Sequence, residues 1–176
     1  MLKRSDIKKE AAKIVNEELT VDDSLFLYHD VCTNGIGYVD LMFKTDSIAP
    51  EQIPYLGLLK SVLGYVDTEN YTYGELFNEI NANTGGINCG VEVFDRADSI
   101  EEFQAMFSVR GKALYTKMDF LFKMIGEILN SSKLEDTKRL YEIVASVKSR
   151  AQVNLTGAGH STAVLRAAAY SSPMAA

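Results

Sequence analysis

The apolar residues of this chain keep a single, helical period only beyond Leu114. Before that point short runs alternate with a period of two between turns and a few helical segments; beyond it every run repeats at helical spacing. Such a chain reads as an α+β fold, with an antiparallel sheet of about four strands packed against helices. Leu25 to Tyr28 and Ile36 to Phe43 are expected as two strands joined by a turn at Thr33-Asn34-Gly35. In the second, Val39, Leu41 and Phe43 share one face, and Tyr38, Asp40 and Lys44 the other. Ile87 to Val93 and Met106 to Leu114 alternate likewise and suggest an antiparallel pair linked through a polar stretch, Asp95 to Glu102. Helices are expected over Ser5–Leu19, Pro54 to Gly64, Thr72–Asn83, Lys117–Leu129, Glu135–Thr156 and His160–Tyr170. Leu76, Phe77 and Ile80 form the apolar stripe of the third of these, which Thr84-Gly85-Gly86 stops.

With 176 residues, 47% of them hydrophobic and 24% charged, the chain can build a core and suits one domain, or one domain plus a fragment. Residues 1–24 read as an N-terminal helix and connector, and 25–176 as the α+β domain. A net charge of −6 is the wrong sign for neutralising phosphates, so nucleic acid is not an expected partner. No apolar run approaches the ~20 residues of a membrane-spanning helix, so a membrane is not expected either. The N-terminal Met1-Leu2-Lys3-Arg4-Ser5-Asp6 leads into no apolar signal segment, which points to a cytoplasmic location. Cys32 and Cys89 form no CxxC pair and are expected as reduced, buried thiols.

Little in the sequence carries chemistry. His29 and His160 have no ligand-type neighbour at i+3 or i+4 on a helical face, so a self-contained zinc site is not expected. Cys32 with His29 would make a thiol nucleophile and base, but an i to i+3 pair on a strand points to opposite faces. His160, just after Gly157-Ala158-Gly159, is expected to help start a helix. Asp67, Glu69, Glu75 and Glu79 cluster without the alternation of a calcium loop and read as solvated surface. Neither Gly cluster sits between strand and helix in the order of a phosphate loop.

Several segments carry a resemblance when taken in order: Thr33-Asn34-Gly35-Ile36, Pro50-Glu51-Gln52-Ile53-Pro54-Tyr55, Thr84-Gly85-Gly86-Ile87, Ser149-Arg150, and Gly159-His160-Ser161 with Leu165-Arg166-Ala167-Ala168. Over roughly residues 25 to 176 the chain resembles the pitrilysin/insulinase family of zinc metallopeptidases, within it the presequence protease and falcilysin subfamily. The resemblance implies related α/β domains, two in each half, enclosing a chamber around unfolded peptides. It also implies zinc in the first half, on a helix bearing His-x-x-Glu-His. This chain has no such motif and resembles the start of the second, non-catalytic half. Where the ligand helix of the subfamily opens Ile-Pro-His and continues to Glu-His, this chain has Ile53-Pro54-Tyr55-Leu56-Gly57-Leu58-Leu59. Tyr55, Leu58 and Leu59 thus fill the ligand slots, and such a helix would serve as packed scaffold. The family's Arg and Tyr from its last domain have no counterpart here, so the resemblance supplies no catalytic, cofactor-binding or metal-binding residue. It also implies a domain continuing past Ala176, which makes 25–176 an incomplete one.

The expected function is therefore a non-catalytic, chamber-forming part of a zinc metalloendopeptidase that degrades unfolded peptides. Its partners would be the catalytic half of the same polypeptide and the peptides, and a net negative wall would steer basic ones. This chain would be inactive alone, with the zinc in the other half. The alternative is a free-standing peptide- or protein-binding module without proteolytic activity.

Overall fold

The structure, a computed structural model, describes residues 15–96 and 98–172. They belong to two compact units, Met1–Gly35 and Ile36–Ala176.

In the first unit β1 (Glu17–Val21) and β2 (Ser24–Tyr28) form an antiparallel hairpin in which Val21 pairs with Ser24. Asp22 and Asp23 make its turn with φ of +46° and +65°, the hand that a two-residue hairpin turn needs. The helix expected over Ser5–Leu19 is corrected at its end, since Glu17 to Leu19 are strand; Ser5 to Ile14 lie outside the described residues. The ambiguity is physical: Val15 and Leu19, four apart, share a face at either period, and Thr20 and Val21 favour the strand. β2 straddles the boundary expected after residue 24.

The second unit holds a three-stranded antiparallel sheet in the order β3-β5-β4, from β3 (Ile36–Lys44), β4 (Ile87–Arg96) and β5 (Ser99–Leu114). β5 is central, pairing Leu114 to Met106 with Ile36 to Lys44, and Gly111 to Phe103 with Ile87 to Asp95. The antiparallel pair of β4 and β5 matches expectation. Two details do not. The stretch expected as connector, Asp95 to Glu102, is mostly strand, because β4 runs to Arg96 and β5 restarts at Ser99. The two strands flanking Thr33-Asn34-Gly35 both exist, yet they do not pair: β2 joins β1 and β3 joins β5. Period two reveals a buried face but not the strand that lies beside it. The expected sheet of about four strands is accordingly one of three, with a separate two-stranded hairpin.

The helices are α1 (Ile53–Val62), α2 (Tyr73–Asn83), α3 (Met118–Ser131), α4 (Thr137–Gly157) and α5 (Gly159–Ala168). Short 3-10 turns at Pro50–Gln52 and Tyr115–Lys117 lead into α1 and α3. Thr72 caps α2 reciprocally with Glu75: the Glu75 N–H donates to the Thr72 hydroxyl at 3.3 Å, and the Thr72 N–H donates to the Glu75 carboxylate at 3.0 Å.

One face of the sheet offers Phe107, Val109 and Ala113 to Leu76 and Ile80 of α2 and to Leu121, Met124, Ile125 and Ile128 of α3. Gly111 lets α3 come close, since a Cβ there would lie 2.7 Å from a methyl of Leu121. A smaller cluster of Val62, Val66 and Ile143, with Leu140 and Val147, seats the first half of α4. From Lys148 onward every residue of α4 is exposed, as is α5 apart from Ala168.

Candidate functional site

Tyr55, Leu58 and Leu59, the positions that the resemblance sets against a zinc-ligand motif, lie on α1. Pro54 opens the helix where its missing N–H costs nothing, and Tyr55, Leu58 and Leu59 follow at helical spacing. Leu56 and Leu59 pack against the main core, Leu58 is half-buried, and Tyr55 is 67% exposed. The expectation of a scaffold helix thus holds for Leu59, while Tyr55 faces outward. Tyr55, Leu56 and Leu59 join Ile48 and Gln52 around an open, mainly apolar groove of about 360 Å³. The donor set does not fit zinc: two hydrocarbon side chains and a neutral phenol offer the metal no good ligand. No step of zinc chemistry can therefore be built on this helix. Among the described residues no group of three or more His, Cys, Asp and Glu could hold a metal ion.

The sheet face opposite the helices carries a second constellation. The register places Asp40, Arg110 and Asn88 side by side across the three strands, with Glu92 two steps along the same face, beyond Gly90. Arg110 Nε donates to Asp40 at 2.7 Å, and its other arm reaches Glu92 at 3.2 Å. The Asp40 hydrogen bond, reinforced by the charges of both carboxylates, raises the guanidinium pKa further. Tyr38, Met42 and Phe94 stand exposed on the same face. Beneath them the Ser108 hydroxyl is buried, without a hydrogen-bond partner among the described residues; Gly90 lies opposite, and a Cβ there would be 2.8 Å from that oxygen. Lys44 and Lys112 stand on the same face. Sequence reasoning placed Tyr38 and Asp40 together but missed Arg110 and Glu92, because cross-strand neighbours depend on a register that periodicity does not give.

The remaining candidates stay apart. Cys32 is exposed rather than buried, and its thiol donates to Asn34 Oδ1 at 3.7 Å instead of to His29. Both residues lie in the irregular stretch between β2 and β3, where no buried face claims them. Cys89 on β4 packs against the core, and desolvation pushes its thiol pKa up to about 11. His160 is exposed in the first turn of α5 and does not cap it through its side chain. Three of the four clustered carboxylates have structural partners. Asp67 accepts the Tyr73 N–H at 2.8 Å, Glu75 completes the cap of α2, and Glu79 accepts from Asn83 at 3.2 Å.

The fold defines an α+β segment, and comparison with known proteins gives its family. A family model described as peptidase M-16C associated matches residues 1–176, and the chain belongs to that family. It is 38% identical over 171 residues to the protein HypA of Clostridium perfringens, covering 97% of this chain and 18% of that protein. It is 30% identical over 142 residues to the mitochondrial presequence protease of Yarrowia lipolytica, covering 81% and 14%. Against the chloroplastic/mitochondrial presequence protease 1 of Arabidopsis thaliana it is 29% identical over 168 residues, covering 94% and 15%. The chain thus spans less than a fifth of these curated relatives. The resemblance to the presequence proteases, and to a non-catalytic part of such peptidases, holds. No helix among the described residues is long and apolar enough to cross a membrane.

Proposed function

We propose that this chain forms part of the chamber wall of a zinc metalloendopeptidase that degrades unfolded peptides, docking on the catalytic half of the same polypeptide, which holds the zinc. The observation that carries the reading is the family match over residues 1–176, and the hydrocarbon and phenol side chains of Leu58, Leu59 and Tyr55 on α1, where the resemblance would set zinc ligands, support it. Surface without a covering layer supports a docking role. Val153, Leu155, Val164 and Leu165 on α4 and α5 are each more than half exposed, which is costly for a helix pair that faces only water. The mixed apolar and ion-paired sheet face would tolerate peptides of differing sequence. Cytoplasmic action is part of this reading.

The test pairs the chain with the zinc-bearing half. Purified 1–176 and that half are mixed, their co-elution is measured by size-exclusion chromatography, and cleavage of a quenched fluorescent peptide is assayed with each piece alone as control. Co-elution is the expected result, with any cleavage by the mixture abolished by a chelator. Cleavage by 1–176 alone that survives chelation would overturn it and implicate the Cys32 thiol. Peptide binding by 1–176 without co-elution would favour the free-standing module.

A further inference from the structure

We draw no further inference here: the strongest candidate, the face of the three-stranded sheet opposite the helices, where Tyr38, Met42 and Phe94 surround the Asp40–Arg110–Glu92 ion pairs, is an unpartnered surface, and nothing in the structure shows what covers it.

Discussion

The two cysteines show how far environment separates chemically identical side chains. Cys32 is open to solvent, whereas Cys89 is desolvated beneath the sheet, its pKa raised to about 11 from an ordinary 9.0. A maleimide or disulfide reagent at pH 8 should label Cys32 promptly and leave Cys89 protected until the chain unfolds, which peptide mass mapping would resolve. Equal labelling rates would contradict the burial. The raised pKa also fixes the sign of a stability effect. The folded chain holds the Cys89 proton more tightly than the unfolded chain, so the contribution is complete below pH 9 and fades as pH rises through about 11. Cys89→Ala should flatten that alkaline decline. The burial expected for both thiols holds for Cys89, which shares an alternating strand face with Ile87 and Val91, and fails for Cys32, which lies in irregular chain that no element covers.

The elements are where local sequence and tertiary packing can be weighed against each other. In α2 the reciprocal cap holds the Glu75 carboxylate below the usual range, first through the Thr72 N–H and then through the Thr72 hydroxyl. Its stabilising effect is therefore present above the unfolded value near 4.5 and is lost as pH falls through the folded one. Thr72→Ala should cost about 1 kcal/mol at neutral pH in urea unfolding, and Glu75→Gln should reduce the acid sensitivity. A midpoint unmoved by either change would show that the cap does not support the helix. Between α3 and β5 the constraint is steric. Gly111→Ala places a methyl 2.7 Å from Leu121, which is fully buried and cannot swing away, so a loss of about 1–3 kcal/mol is expected from thermal or urea melts. Helical periodicity located all five described helices, because each carries an apolar stripe long enough to read. It misjudged an individual member: Phe77 of α2 is more than half exposed. Phe77 adjoins Leu76 and is turned about 100° from it, so only one of the two can face the sheet. That Tyr55, Leu58 and Leu59 on α1 offer a metal no good donor could be read from residue identity alone. The Arg110 constellation could not, since its members come from three strands.

At the scale of the whole molecule, the packing of the second unit is concentrated around a single strand. β5 supplies the inward Phe107, Val109 and Ala113 and pairs on both sides, so no part of the main sheet exists without it. Its two partnerships differ in how far the chain must travel to make them. β4 and β5 meet across a short reversal, Arg96 pairing with Ser99, whereas β3 must bring Lys44 to Met106 and Ile36 to Leu114. Loop closure makes the second event entropically harder, and both helices α1 and α2 must be accommodated in the intervening chain. Assembly should then be polarised in time: the β4–β5 ribbon belongs to the folding nucleus, and β3 joins after the barrier. In stopped-flow chevrons Val91→Ala on β4 should slow refolding, and Val39→Ala on β3 should mainly accelerate unfolding. The reverse pattern would mean that β3 organises the nucleus. A strand added late is also released early, so the seam between β3 and β5 is where this sheet would first come apart under load or denaturant, leaving the ribbon as the last ordered remnant of the sheet.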